Sequence, residues 1–173
     1  MECYCQDNLN HCINYILLIT VRLKSFIIIN VKKPMITVTQ KVKELLMNGS
    51  INLLTDTFKI MACSPFTPNA ATQDFISSVS SFQITATGYT AGGATLSGKS
   101  IDRNNTDVRV YWNFNDPSWT ITGTMTAQLF VIYKDTGTPE TSPIVAIIDK
   151  GAPQSRTDAD FILQLNAKGI IGL

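Results

Sequence analysis

One segment of the chain has the residue types and spacing of a phosphate-binding loop. Residues 93–100, GATLSGKS, satisfy the pattern G-x-x-x-x-G-K-[ST]. A second stretch, Ile144–Asp149, is an apolar run that ends in an aspartate, as does the strand that presents a magnesium-binding carboxylate in nucleotide hydrolases. Together the two stretches would predict an ATPase if a helix began at Lys99 and Ser100.

The residues after this segment do not favour such a helix. A working loop needs a helix whose first amides and dipole hold the phosphates. Residues 101–106, IDRNNT, instead indicate a strand end that runs into a turn, and the next segment alternates like a strand. We therefore interpret the match as coincidental. We expect a non-enzymatic protein with no catalytic, cofactor-binding or metal-binding residues.

Other groups of residues that could bind a metal or act in catalysis have simpler explanations. Residues 102–107 faintly resemble a calcium loop, but Asp107 occupies the place of the required glycine and Asn113 that of the bidentate glutamate. We predict a hairpin turn there in which Asn104 and Asn105 adopt positive φ. The only histidine is His11, so neither a Ser/His/Asp nor a Cys/His arrangement is available after residue 34.

Most of the remaining acids lie beside turns. Their spacing leaves a carboxylate pair for glycoside cleavage open, yet turn chemistry explains them without it. These acids are Asp116, Asp135, Asp149 and Asp158. The aromatic residues Tyr89 and Tyr111 could serve a binding surface, although packing in a core or interface is the commoner use.

Length and composition predict one domain with a hydrophobic core. The chain has 173 residues, of which 45% are hydrophobic and 16% charged. A formal net charge of +1 and the absence of a Lys/Arg run after residue 34 disfavour nucleic acid as a partner. The isolated Cys63 is expected to be a small buried residue in a reducing compartment.

Residues 1–34, here called the leader, differ in composition from the rest. Arg22 and Lys24 interrupt the apolar run before it reaches the roughly 20 residues that a bilayer requires. The acidic start does not fit a secretory signal. The spacing C-x-C-x5-H-C of residues 3–12 offers zinc ligands but matches no recognised finger. We predict that Met35 is the working start. A membrane-surface anchor, flanked by Lys32 and Lys33, is the alternative.

Residues 39–80 predict short helices and one strand. Thr39 is a possible N-cap, Val42, Leu45 and Leu46 share a face, and residues 48–49, NG, supply a stop. A turn at residues 55–56 precedes a strand over 57–62. Residues 64–69 must form a loop, since two prolines lie within them. A second short helix is expected around residues 72–78.

From residue 81 onward, strand signals follow one another with Gly, Pro, Asn or Asp in the connectors. The predicted strands cover residues 82–87, 94–102, 107–114, 119–134, 144–149 and 161–166. Along residues 119–133 the odd positions are apolar and the even ones are mostly threonine, so one face should be core and the other polar. Phe130 and Ile132 indicate that both faces become buried near the end, and Gly123 indicates a bulge or bend.

This pattern predicts a mainly β protein, an antiparallel β-sandwich or barrel-like single domain over residues 35–173, with one or two short helices. The glycines at positions 88, 92 and 93 are expected to let the chain turn between two strands.

Three stretches of the chain have a recognisable sequence, order and spacing. They are residues 51–59 (INLLTDTFK), 87–96 (TGYTAGGATL) and 131–137 (VIYKDTG). Together they resemble a family of small virion structural proteins of tailed bacteriophages. The resemblance covers residues 39–173 and none of the leader. Residues 62–65, ACSP, and the apolar tail depart from the family's pattern, which leaves any shared surface contacts open.

The resemblance implies a non-enzymatic component of a bacteriophage particle, a head decoration, neck or tail-associated protein that acts through protein–protein assembly. It implies other virion subunits or copies of the same chain as partners, and localisation to the virion after assembly in the host bacterial cytoplasm. Neither nucleic acid nor a membrane is expected as a partner. A receptor- or carbohydrate-binding adhesin module is the alternative, and a P-loop NTPase is the third hypothesis.

Overall fold

The computed structural model describes residues 15–17, 29–31, 35–106, 108–165 and 171–172. The chain divides into two units, Met1–Lys33 and Pro34–Leu173. In the first unit, β1 (Tyr15–Leu17) pairs antiparallel with β2 (Ile29–Val31). The zinc hypothesis for Cys3, Cys5, His11 and Cys12 lies outside the described residues.

In its described residues, the second unit contains one α-helix and most of the strands. Its helix is α1 (Gln40–Met47), and two single-turn 3₁₀ helices cover Ile76–Ser78 and Ser80–Phe82. Its strands are β3 (Met35–Val38), β4 (Phe58–Cys63), β5 (Ala94–Thr95), β6 (Ser100–Asn104), β7 (Arg109–Asn113), β8 (Ser118–Thr120), β9 (Thr124–Lys134), β10 (Ile144–Thr157), β11 (Asp160–Ile162) and β12 (Ile171–Gly172).

Helix α1 begins and ends as its sequence predicts. The Thr39 side chain accepts a hydrogen bond from the Val42 amide, which satisfies one of the free donors at the helix start. Val42 is fully buried. After the helix, Gly49 has a φ of 73°, a left-handed conformation that suits glycine at a helix end. In the described part of the chain no helix is long and apolar enough to cross a membrane.

The strands form open antiparallel sheets. The largest has five strands in the order β3, β10, β9, β4, β5, and a second has three in the order β12, β7, β6. Strands β8 and β11 pair with each other. The fold is therefore mainly β and sandwich-like, as expected, and is not a closed barrel.

Strand β9 lies in the middle of the largest sheet and is covered on both faces. Phe130 and Ile132 belong to the larger apolar cluster, whereas Leu129, Val131 and Tyr133 belong to a smaller one on the other side. The odd positions of residues 119–133 are buried, as predicted, apart from Gly123. These odd positions are divided between the two clusters, because Met125 and Ala127 pack in the larger one and Leu129, Val131 and Tyr133 in the smaller one.

Three predicted elements differ in the structure. Residues 82–87 form no strand. Their neighbour β4 ends at Cys63, and Pro65 cannot continue the hydrogen bonding of β4. Residues 82–87 therefore form only the isolated bridges Cys63–Gln83 and Thr87–Thr122. The strand predicted over 94–102 is broken at Gly98, whose φ is 62°. Of the helix predicted around residues 72–78, only Ile76–Ser78 is helical, as a 3₁₀ turn.

Two other boundaries were set by glycine and proline. The strand predicted over 119–134 is divided at Gly123, with a φ of 78°, which confirms the expected bend. Strand β10 continues past Asp149 to Thr157. Its pairing with β9 shifts register between Asp149 and Gln154, so Gly151 and Pro153 leave the ladder in a bulge and the strand resumes beyond them.

Candidate functional site

The glycine-rich segment over residues 87–96 forms two consecutive turns. The Tyr89 amide donates to the Ala86 carbonyl, and the Gly93 amide donates to the Thr90 carbonyl. Gly88 and Gly92 occupy the third position of these turns with φ values of 91° and 82°, the conformation for which glycine is favoured there. The prediction that these glycines turn the chain is confirmed, and β5 follows the turns as expected, but the strand predicted before them over residues 82–87 does not form.

The turns bring backbone against backbone. A Cβ atom on Gly93 would collide with the carbonyl group of Ile60 in β4, and one on Gly88 would collide with the carbonyl oxygen of Thr120 in β8. The absence of a side chain at these two positions is therefore a packing requirement as well as a conformational one. The segment therefore packs against β4 and β8, which belong to two different sheets.

Two tyrosine hydroxyls hold the turns in place. The Tyr89 hydroxyl accepts a hydrogen bond from the Ala62 amide at 2.9 Å, and the Tyr133 hydroxyl donates to the Gly92 carbonyl at 2.8 Å. Burial raises the pKa of both tyrosines to about 12. Tyr89 also packs against Trp119, with ring centroids 5.8 Å apart. Its role is structural.

The residues of the phosphate-loop pattern do not form a phosphate cradle. Ser100 begins strand β6 instead of a helix. The Lys99 ammonium donates to the Asp56 backbone carbonyl and lies 5.5 Å from the Phe58 ring centroid, so it contributes to packing. Asp149 is buried and accepts hydrogen bonds from Gln128 and from the Gly151 amide.

The calcium-like segment is a hairpin between β6 and β7. The Asp102 carboxylate accepts hydrogen bonds from the Ser100 hydroxyl at 2.9 Å and from the side-chain amide of Asn113 at 3.1 Å. The prediction of positive φ at Asn104 and Asn105 was wrong: Val108 takes this conformation, with a φ of 52°. Across the described residues no group of His, Cys, Asp or Glu side chains could hold a metal ion.

The four acids predicted to serve turns all accept backbone hydrogen bonds. Their donors are the amides of Leu165 for Asp116, Gly137 for Asp135, Gly151 for Asp149 and Gly123 for Asp158. Local turns account for Asp135 and Asp149, whose donors are two residues further on, whereas Asp116 and Asp158 accept amides from distant parts of the chain. Cys63 is buried, which raises the pKa of its thiol to about 12 and keeps the thiol protonated.

An exposed row of hydroxyl groups runs along the outer part of the β9–β10 pair. We call Thr124, Thr126, Ser155 and Thr157 the threonine strip. The Thr124 and Thr157 hydroxyls lie 2.8 Å apart and those of Thr126 and Ser155 2.7 Å apart, so each pair shares one hydrogen bond across the strands. One donor and several lone pairs of each pair stay free for a partner.

The threonine strip is an uncharged, pre-ordered polar surface. Its opposite face carries Met125 and Ala127, which are buried in the larger cluster. Thr120 continues the predicted polar row on β8, where its hydroxyl donates to Asp160. Core packing supports the β9 half of the strip, whereas Gln154 and Arg156, which pair with Ala127 and Met125 from β10, are exposed. The cross-strand hydrogen bonds already position the hydroxyl groups, which lowers the ordering cost of binding a partner.

No protein-family model matches the chain, and no similar curated protein or solved structure is found.

Two ion pairs flank the end of the β4–β9 ladder, and sequence patterns did not indicate them. Lys134 Nζ lies 2.7 Å from Asp56 Oδ2, and Lys59 Nζ lies 2.7 Å from Asp135 Oδ2. Lys59 and Lys134 are on adjacent strands but on opposite faces, since Phe58 is the residue that pairs with Lys134. The two pairs thus hold the connections 52–57 and 135–143 against the sheet.

Both carboxyl groups titrate below their usual range. Burial opposes ionisation of Asp56, but hydrogen bonds from Lys134 and the Asn52 amide, with the charges of Lys134 and Lys99, outweigh burial and lower its pKa. The hydrogen bond from Lys59, followed by that from the Gly137 amide, lowers the pKa of Asp135.

We expect these pairs to make the fold acid-sensitive. A carboxyl group whose folded-state pKa is depressed stabilises the protein above its unfolded pKa, here near 3.8, and this contribution is lost as the pH falls through the folded-state pKa. In urea unfolding, replacing both Asp56 and Asp135 by Asn should cost about 1–2 kcal/mol at neutral pH. It should also flatten the loss of stability below about pH 4. The exposed Glu140→Gln variant is the control, and an unchanged acid slope in the double variant would contradict the assignment.

Proposed function

We propose that the chain is a non-enzymatic structural component of a bacteriophage particle, acting through protein–protein assembly. The observation that carries the proposal is the threonine strip, an exposed row of hydroxyl groups that are paired across β9 and β10 and are backed on the β9 side by a buried apolar face. Such surfaces suit contact with a fixed neighbour, because the hydroxyl groups are already positioned. The resemblance of residues 51–59, 87–96 and 131–137 to phage virion proteins supplies the context.

The contacts of the other candidate residues support the same proposal. The acids beside turns accept backbone amides, and Lys99 packs on Phe58. Each of these groups has an evident structural task, so assembly accounts for the chain with fewer assumptions than catalysis does. Copies of the chain or other virion subunits would contact the threonine strip.

Purified particles of a phage that encodes the chain provide the test. We expect antibodies against the chain to label a fixed location on the particle, and mass spectrometry of the particles to recover its peptides. Absence of the chain from particles would refute the proposal. Glycan binding by the isolated chain, without particle incorporation, would instead support the adhesin alternative.

A matched pair of variants tests the threonine strip itself. Thr124→Val and Thr126→Val together remove hydroxyls while keeping side-chain shape, and should reduce incorporation into particles by about tenfold or more while leaving the fold intact. Thr95→Val is the control, since Thr95 is an exposed strand threonine outside the strip. Equal incorporation of the two would exclude the strip as the contact.

A further inference from the structure

A groove of about 260 Å³ lies between the last part of β10 and strand β11. We call it the β10–β11 groove. Its lining comes from Lys150, Gln154 and Arg156 on one side and from residues 160–164 on the other, all of which the structure describes. Most of these side chains are polar, so the groove suits a polar occupant.

Both strands beside the groove have an edge that pairs with no other described strand. Strand β3 pairs with β10 only as far as Asp149, so residues 150–157 have β9 on one side alone. Strand β11 pairs with β8 alone. Unpaired strand edges expose backbone donors and acceptors to which another chain can bind.

The unpaired edge of β11 is turned toward β10. The Leu163 amide donates to the Pro117 carbonyl beside β8. Backbone groups alternate in direction along a strand, so those of Ile162 and Gln164 face away from β8. The Lys150 ammonium donates to the Gln164 carbonyl at 3.2 Å, which places this edge along the groove.

Two cations lie on the face of β10 that is turned toward the groove. Arg156 pairs with Met125 of the larger cluster, and Lys150 follows Ile148 of the same cluster by two residues, so both are on one face of the strand. Among the described residues neither cation makes an ion pair, whereas Lys41, Lys59 and Lys134 do. Arg156 donates to the carbonyl of Ser155 at 3.0 Å.

The carboxylates around the groove are bonded to other groups. Asp160 accepts a threonine hydroxyl on the exposed face of the β8–β11 pair, at 2.8 Å. Asp116 and Asp158 each accept a backbone amide. Asp149 is buried on the other face of β10, with the smaller cluster. Residues 166–170, which follow the groove in sequence, contain no acid. The two cations therefore outnumber the single carboxylate of the lining.

We propose that the β10–β11 groove binds an extended acidic segment of a neighbouring subunit as an added strand. The main chain of this segment would pair with the free backbone groups of β11. Its carboxylates would form charge-assisted hydrogen bonds with Lys150 and Arg156. Alternate residues of an extended segment point to one face, so carboxylates at every second position would meet the cations. The proposal rests on the assembly function above and gives the chemistry of one contact.

The groove favours this occupant over an uncharged strand or a nucleic acid. Cations at a strand edge discourage pairing with an uncharged strand, because they would lose water without compensation. Carboxylates supply that compensation. Nucleic acids are bound through many cationic contacts, whereas this groove has two cations and the chain a net charge of only +1.

Fluorescence anisotropy of the purified full chain tests the charge contact with a labelled peptide of alternating glutamate and threonine. We expect saturable binding that weakens at least about tenfold after the double change Lys150→Gln and Arg156→Gln. The control is Lys43→Gln with Arg109→Gln, which removes the same charge from exposed positions outside the groove and should leave binding unchanged. No binding, or the same affinity in the two double variants, would overturn the proposal.

Hydrogen exchange followed by NMR tests the strand contact. Saturating peptide should slow exchange of the Ile162 and Gln164 amides at least about tenfold, because these amides would then be hydrogen-bonded. Amides in the connection 135–143, which follows the far end of β9, should not change. Binding without this protection would show that charge alone holds the peptide and would rule out strand addition.

Two further probes test the choice of partner. The same peptide with glutamine in place of glutamate should bind little, and its equal binding would remove the role of the cations. A single-stranded oligonucleotide that displaced the acidic peptide at equal concentration would contradict a protein partner. None of these measurements uses a particle, so their failure leaves the particle assignment standing, and absence of the chain from particles leaves the peptide result standing.

Discussion

Replacing Gly93 by alanine is expected to destabilise the fold by about 3–4 kcal/mol, as the sum of left-handed strain and forced overpacking. The new Cβ would meet the Ile60 carbonyl group, which belongs to the inner strand β4 and cannot move without disturbing its ladders to β9 and β5. Loss of this much free energy is a large share of the stability of a small domain. Urea unfolding followed by tryptophan fluorescence measures it.

The control for Gly93 is Gly137→Ala. Gly137 has nearly the same φ, 85° against 86°, but nothing lies within 4 Å of a Cβ built there. It should therefore lose only about 1 kcal/mol, the cost of the left-handed conformation alone. Similar losses at the two positions would show that the chain can relax around Gly93, and that the close approach to β4 is not a constraint.

The two tryptophans are expected to respond differently to replacement by phenylalanine. Trp112 is buried and its indole donates to the Leu53 carbonyl at 3.0 Å, so Trp112→Phe leaves that oxygen unpaired and opens a void beside Phe58 and Phe114. We expect a loss of about 2–3 kcal/mol. Chemical unfolding can be followed in either variant, because each keeps one tryptophan.

Trp119→Phe should cost about 1–2 kcal/mol less than Trp112→Phe. The Trp119 indole nitrogen is buried, and no described protein atom accepts its hydrogen bond. Removing this donor relieves a desolvation cost that partly offsets the smaller ring volume. A larger loss at Trp119 than at Trp112 would mean that the nitrogen has a partner, such as a buried water.

Signals between residues close in sequence predicted the helix, the central strand and the glycine turns. Thr39 and Gly49 bound the helix because capping depends on residues a few positions apart. The odd apolar row from Trp119 to Tyr133 identified the central strand, since side chains alternate across a sheet. Gly88 and Gly92 indicated turns because few other residues adopt positive φ without strain.

Contacts between distant residues could not be predicted in this way. The pairs Lys134–Asp56 and Lys59–Asp135 join residues more than seventy positions apart. Strand β10 continues beyond Asp149 because the bulge accommodates Pro153 outside the ladder, which depends on the partner strand β9. Among the described residues of the β6–β7 hairpin the left-handed one is Val108, although Asn104 and Asn105 have the higher intrinsic preference.

By itself, the sequence determined that this chain is a mainly β protein with a capped helix, glycine turns before β5 and one polar face of threonines. These features follow from alternation and from local backbone preferences. Only the tertiary structure decided that Lys99 packs on Phe58, that Gly93 lies against β4, and that Arg103 and Arg109 flank an exposed valine. Such outcomes depend on which strands become neighbours, and the free energy of those pairings comes from packing between segments that are far apart in the chain.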